Sequence, residues 1–222
     1  MNNRLAALGP FFGVEVHEAQ TGVTAPWLAF TQLLGDLDSR VRPVRSALAL
    51  GDNRPEADVE LRVAASVAHL GVVARLLAPA IGAIALGEQG LSLDVADLRW
   101  QNQLGGPFPL STVIRTGHSS VLRGDAVEAL TLGFASTYSL SDQVLWGNVG
   151  SAANTAAGLI AVQRPDLERR ARMAADAILA DPRVDGGELR SGEDFRRKSC
   201  CLLYRLTGDR IAVCGDCVLA GD

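Results

Sequence analysis

All four cysteines of the chain lie in its last 23 residues, and the first 199 residues contain none. They form two pairs, the adjacent Cys200 and Cys201 and the Cys-x-x-Cys pair of Cys214 and Cys217. Twelve residues separate the pairs, and residues 204–213 of this spacer carry Thr-Gly-Asp in their middle, which predicts a hairpin that brings the pairs together. The fold must therefore hold this segment so that its thiols converge.

Three kinds of site are open to such cysteines. Disulfides are rare in a reducing compartment, and the N-terminus predicts no export signal. Structural zinc sites commonly use the Cys-x-x-Cys spacing of Cys214 and Cys217. Adjacent side chains on an extended chain point apart, however, so Cys200 and Cys201 are poorly placed to bind the same zinc ion. A two-iron, two-sulfur (2Fe-2S) cluster takes four thiolates on two irons, so it accommodates diverging ligands more easily. Gly215 lets the backbone bend between ligands.

Positive charge is concentrated around the cysteines. Six of the 21 basic residues lie between positions 190 and 210: Arg190, Arg196, Arg197, Lys198, Arg205 and Arg210. An oxidised two-iron cluster with four thiolates carries about −2 and becomes more negative on reduction, so nearby cations favour the reduced form and raise the potential. The same residues could receive an acidic partner. The alternative explanation of these basic residues is a solvent-exposed strand with no role at the cysteines.

Residues 195–205 read FRRKSCCLLYR, and residues 214–219 read CGDCVL. These two blocks resemble the C-terminal signature of the FhuF family of ferric-siderophore reductases. A weaker match is LWGNV at residues 145–149, which is similar to a Trp-Gly-Asn element of that family. The chain departs from the family in the spacer between the second and third cysteines, which has twelve residues here instead of the usual ten. We expect a longer hairpin tip with the ligands kept.

The resemblance implies one-electron reduction of a ferric hydroxamate siderophore through a 2Fe-2S cluster held by the four cysteines. It implies that Arg196, Arg197 and Lys198 tune the potential or dock partners, and that Trp146 and Asn148 contact the substrate. The chain lacks nucleotide-binding glycine motifs, so we expect a separate electron donor, a flavoprotein reductase or a ferredoxin. The alternatives are a non-enzymatic 2Fe-2S electron carrier or redox or iron sensor, and a siderophore-binding or assembly protein with structural zinc.

Composition limits the other function classes. The 222 residues are 48% hydrophobic and 21% charged, which excludes disorder over most of the chain. The net charge of −4 argues against a general nucleic-acid binder. Residues 63–86 are the longest apolar stretch, but His69, Arg75 and Pro79 near its middle favour a buried helix over a membrane span. We expect a cytoplasmic protein without a transmembrane span, and peripheral membrane contact stays open.

Apolar periodicity predicts a mainly helical chain. Helices are predicted from residue 25 to 37, from 52 or 53 to 78, from 125 to 138, from 141 to 161, and from 165 onward. Pro79 should end or kink the second of these helices. Strands are predicted for residues 90–101 and 110–114. The fold class is α+β, with a small sheet and a C-terminal cysteine hairpin. A body of residues 1–190 would precede a cluster-binding segment of residues 191–222.

Overall fold

The computed structural model describes residues 2–115, 124–206 and 215–219. The helices in these ranges are α1 (Asn2–Ala6), α2 (Phe30–Gly35), α3 (Asp38–Gly51), α4 (Leu61–Leu86), α5 (Ala126–Tyr138), α6 (Asp142–Gln163) and α7 (Glu168–Leu179). The strands are β1 (Glu15–Val16), β2 (Leu28–Ala29), β3 (Gly90–Leu91), β4 (Arg99–Trp100), β5 (Leu110–Thr112) and β6 (Ile114–Arg115). Mainly helical structure with small sheets confirms the predicted α+β class.

Helix α4 is the centre of the fold, because α3, α5, α6 and α7 all pack against it. Among the described helices it alone is long and apolar enough to cross a membrane, and 72% of its most apolar window is buried inside the protein. A helix buried to this extent is a core helix, as the sequence predicts for residues 63–86. The helix ends where Gly87 adopts a left-handed φ of 72°.

The predicted boundaries of α4 are wrong at both ends. The helix continues through Pro79, although proline removes one backbone hydrogen bond and costs roughly 3 kcal/mol inside a helix. Pro79 and its neighbours are buried, so tertiary packing outweighs this cost. At the other end, α4 begins at Leu61 instead of at residue 52 or 53, because a 3₁₀ turn at Glu56–Asp58 precedes it.

Short strands of the N-terminal half form two sheets. The first has the order β1-β5-β4-β2, with β1 and β5 parallel and the other pairs antiparallel. The second pairs β3 with β6. Residues 28–29 lie in the first sheet rather than in the helix predicted for 25–37, because Leu28 pairs with Trp100. The strand predicted for 90–101 is divided by a turn at Val95–Asp97.

Helices α5, α6 and α7 lie where the sequence predicts helices. The hydroxyl of Ser141 accepts from the backbone N–H of Val144 and caps α6. Pro165–Leu167 forms a 3₁₀ turn, after which α7 packs against α6. The apolar side chains predicted to share one face of α7 are all buried: Leu167, Ala171, Ala174, Ile178 and Leu179.

The chain after α7 reverses at residues 185–187, where Asp185, Gly186 and Gly187 all have positive φ. The chain then runs back along α6, and its described residues there form no regular strand. The hairpin predicted for residues 204–213 begins instead in a 3₁₀ turn at Leu203–Arg205. The remainder of that prediction, with Cys214, lies outside the described residues.

Candidate metal centre

Side chains alternate between interior and solvent along residues 195–202, which we call the first cysteine segment. Phe195, Arg197, Ser199 and Cys201 are buried, whereas the residues between them are exposed or half-buried. This period of two is that of an extended chain. It places Cys200 and Cys201 on opposite sides, as expected for adjacent residues.

Two glycines of α6 allow this segment to lie directly on the helix. A Cβ atom added to Gly147 would lie 2.1 Å from the Oγ of Ser199. A Cβ atom added to Gly150 would lie 2.9 Å from Val184 Cγ1 and 3.6 Å from Phe195 Cζ. Any larger residue at Gly147 or Gly150 would therefore push the chain away from α6.

Asn148 holds the arginine of the same segment inside the protein. Arg197 donates from Nη1 to Asn148 Oδ1 at 2.8 Å, and Asn148 Nδ2 donates to the Ser66 carbonyl at 3.0 Å. Asn148 is 0% exposed and Arg197 is 1% exposed. Burial of both side chains argues against their surface contact with a siderophore or a partner, while tuning of the potential by Arg197 stays a prediction. Their side chains position the cysteine segment on α6 and α4.

The buried polar contacts continue from Asn148 to His69 of α4. Thr131 Oγ1 donates to the Val127 carbonyl at 2.7 Å, so it accepts from His69 Nε2 at 3.3 Å. His69 Nδ1 is then the acceptor for Asn148 Nδ2 at 3.5 Å. Burial lowers the pKa of His69 to about 3, which keeps the ring neutral. His69 is thus a hydrogen-bonded core residue, as the sequence indicates.

The second cysteine segment, residues 215–219, is tied to both α6 and the first segment. Ser151 Oγ donates to Asp216 Oδ2, and the Asp216 carbonyl accepts from the Arg197 N–H at 3.0 Å. Asn154 Oδ1 accepts from the Gly192 N–H at 2.9 Å. We call the residues that receive the tail the docking face of α6: Gly147, Asn148, Ser151 and Asn154. This face brings the two cysteine segments together.

The sulfurs of Cys201 and of Cys217, from the other segment, lie near enough to Cys200 to affect the charge state of its thiol. Cys201 and Cys217 are buried. Burial is the main cause that raises the pKa of the Cys200 thiol to about 12, and the neighbouring sulfurs add to it. A bound metal would displace this proton, because metals bind the thiolate.

Backbone N–H groups point at two of the sulfurs. Leu202 N donates to Cys200 Sγ at 3.4 Å, and Leu219 N donates to Cys217 Sγ at 3.4 Å. Leu202 reaches this geometry with a φ of 70°, which is uncommon for a bulky residue. Strain of this kind concentrates at functional sites. Hydrogen bonds to cysteine sulfur stabilise thiolate ligands and set cluster potentials.

The described residues leave out Cys214, and among them no group of three or more His, Cys, Asp or Glu is arranged to hold a metal ion. The chemistry of the described thiols nevertheless fits an iron–sulfur cluster. Cys200 lies close to Cys217 of the other segment and to Cys201, the latter two are buried, and backbone N–H groups donate to the sulfurs of Cys200 and Cys217. Cys214 would complete the ligand set.

Lys198 and Trp146 line one groove of about 560 Å³. The Lys198 ammonium pairs with Glu188 at 2.8 Å, and the Arg183 guanidinium lies 4.2 Å above the centre of the Trp146 ring. Arg183 also pairs with Asp181 at 2.7 Å. The structure thus brings Trp146 and Lys198 together, while Asn148 is buried beneath them.

Arg196 lines a second, larger groove of about 820 Å³ between α6, α7 and the cysteine segments. Its guanidinium donates to the carbonyls of Glu193 and Phe195. Gly215 and Asp216 form part of the wall beside Cys217. This groove is the larger of the two that border the cysteine segments.

Sequence reasoning does not find the docking roles of Gly147, Ser151 and Asp216. Small and polar residues three or four apart on an otherwise apolar helix are the available signal, since they share one face. Trp100, the last residue of β4, is 2% exposed and packs edge-on against Phe108, so it belongs to the core.

Comparison of this chain with models of known protein families, with curated proteins and with solved structures gives no match.

Proposed function

We propose that this protein is a ferric-siderophore reductase that uses a 2Fe-2S cluster bound by Cys200, Cys201, Cys214 and Cys217. The observation that supports it most is the convergence of the two cysteine segments, with Cys200 close to Cys217 and a backbone N–H donor at each of the two sulfurs. The bound cluster would supply one-electron transfer. A cytoplasmic location belongs to the same proposal.

The reaction moves one electron. A separate donor protein, a reduced flavoprotein or ferredoxin, loses the electron, and siderophore-bound iron(III) gains it and becomes iron(II). Iron(III) is held tightly by the hard oxygen donors of hydroxamates, whereas the larger and less charged iron(II) is held more weakly. Reduction therefore makes the metal releasable without breaking a covalent bond of the siderophore.

The residues of the chain contribute position and charge. The docking face of α6 fixes both cysteine segments through Asn148–Arg197 and Ser151–Asp216. The Arg197 guanidinium is buried and the backbone N–H of Arg197 donates to Asp216, next to Cys217, so the proposal gives this cation a role in favouring negative charge on the cluster. Arg196 and Lys198 are exposed, and a donor protein that docks on them would exchange its carboxylates for Glu188 at Lys198.

The test is to mix dithionite-reduced protein with ferrioxamine under argon and to follow reoxidation by visible absorption, trapping iron(II) with ferrozine. The proposal predicts one iron(II) trapped for each electron lost, with turnover when a reductase supplies electrons. A cluster that stays reduced for many minutes beside excess ferrioxamine would overturn it in favour of an electron carrier or a sensor. A colourless zinc protein would overturn both.

A further inference from the structure

We infer that the groove between α6, α7 and the second cysteine segment binds the ferric siderophore, and that it selects neutral or cationic hydroxamate complexes; this rests on the proposed function. Its lining combines residues of the helices, Asn154, Thr155, Gly158 and Arg172, with Gly215 and Asp216 of the cysteine segment. A ligand in the groove would therefore touch the chain one residue away from a proposed cluster ligand.

The other cavities are less well placed. The groove at Trp146 contains no residue of the described second cysteine segment, and its cations are engaged, since Lys198 pairs with Glu188 and Arg183 with Asp181. The cavity at Phe108 is about 230 Å³ and lies among α3, α4 and the sheet. Contact with the cysteine segment therefore favours the groove on α6 and α7.

The size of the groove suits a siderophore. Its volume of about 820 Å³ lies within the roughly 300–1,000 Å³ of small-molecule sites. Gly158 leaves its floor open, because a Cβ added there would meet nothing within 4 Å. Leu159 and Val162 are 47% and 84% exposed on the rim and offer apolar contact to the methylene chains of a linear hydroxamate.

The charge of the groove decides between siderophore classes. Its lining holds three carboxylates and two guanidiniums: Glu168, Glu193, Asp216, Arg172 and Arg196. Arg172 pairs with Glu168 at 3.5 Å, and Arg196 donates to backbone carbonyls. The three positive charges of iron(III) balance the charges of three hydroxamate groups, whereas the corresponding tris-catecholate complex keeps a large negative charge. The excess carboxylate therefore favours hydroxamates and repels catecholates.

Gallium(III)–desferrioxamine tests binding without reduction, because gallium(III) resists one-electron reduction. Calorimetric titration of the cluster-loaded protein should show binding that Gly158→Leu weakens at least about tenfold, since the leucine fills the groove. Gly71→Leu is the matched control, because Gly71 is also a helical glycine with nothing within 4 Å and lines the separate cavity at Phe108. Thr155→Trp, at an exposed position of the same groove, repeats the test.

Four outcomes overturn the inference: no binding by the wild type, unchanged affinity in both groove variants, equal loss in Gly71→Leu, or tighter binding of the gallium tris-catecholate. Each is measured without electron transfer. A protein that binds the gallium complex in this groove but does not reduce ferrioxamine would contradict the proposed function alone. A protein that reduces ferrioxamine with unchanged affinity in the groove variants would contradict this inference alone.

Discussion

Replacement of Gly147 by alanine tests whether the docking face of α6 positions the first cysteine segment. The new Cβ would lie 2.1 Å from Ser199 Oγ, far inside the roughly 3.5 Å at which non-bonded atoms touch. Overpacking of this kind costs about 1–3 kcal/mol, while the higher helix propensity of alanine returns about 1 kcal/mol. We expect a net loss of about 0–2 kcal/mol in the free energy of unfolding.

Gly158→Ala is the control on the same helix, because its Cβ would meet nothing within 4 Å. It should stabilise the protein by about 0.5–1 kcal/mol through propensity alone. Urea unfolding followed by circular dichroism measures both variants. Equal stabilisation by the two alanines would refute the close packing of Gly147 on Ser199.

Ser199→Ala completes a double-mutant cycle. Ser199 Oγ is buried without a hydrogen-bond partner among the described residues, so its removal alone should cost little. Removal of the oxygen also removes the clash with alanine at position 147. The coupling energy should be about 1–3 kcal/mol, and an additive cycle would contradict the contact.

Three further predictions concern the polar contacts behind the cysteines. Burial lowers the pKa of His69 to about 3 in the folded protein. As the pH falls, the His69 ring therefore takes up a proton in the unfolded chain at a higher pH than in the folded protein. Stability should therefore fall as the pH drops below about 6.5, by at most about 1.4 kcal/mol per pH unit, and His69→Gln should flatten this slope in urea titrations. Ser151→Ala removes a bond to the Asp216 carboxylate and should cost about 1.5–3 kcal/mol, whereas Ser136→Ala on the exposed side of α5 should cost little. Arg197→Gln removes a buried cation and should lower the midpoint potential of the cluster in a titration followed by paramagnetic resonance; an unchanged potential would contradict its electrostatic role.

The sequence predicts the helices whose apolar periodicity and end signals agree. Ser141 precedes α6 as a cap, Pro165 opens the turn into α7, and the apolar residues of α7 share one buried face. The sequence fails where tertiary packing outweighs local preference. Pro79 lies within α4 because the surrounding core is buried, and residues 28–29 form a strand because Trp100 pairs with them.

In the cysteine site too, the local pattern is predictable from the sequence and the tertiary contacts are not. The spacing of the cysteines predicts that their segments meet, and the described thiols of Cys200 and Cys217 do meet. The inward direction of Arg197 could not be predicted, because a run of three basic residues is ordinarily a solvated surface. Its burial depends on an acceptor from a distant helix, Asn148, that no local pattern pairs with it.

The central claim is that the two cysteine segments together hold a 2Fe-2S cluster. The most direct measurement is the visible absorption and electron paramagnetic resonance of anaerobically purified protein, with iron, sulfide and zinc determined on the same sample. We predict a red-brown protein with about two irons and two sulfides per chain, whose absorption bleaches on reduction as a paramagnetic signal appears. Cys201→Ala should lose this cluster. A colourless protein with about one zinc per chain, or a normal cluster in Cys201→Ala, would contradict the claim.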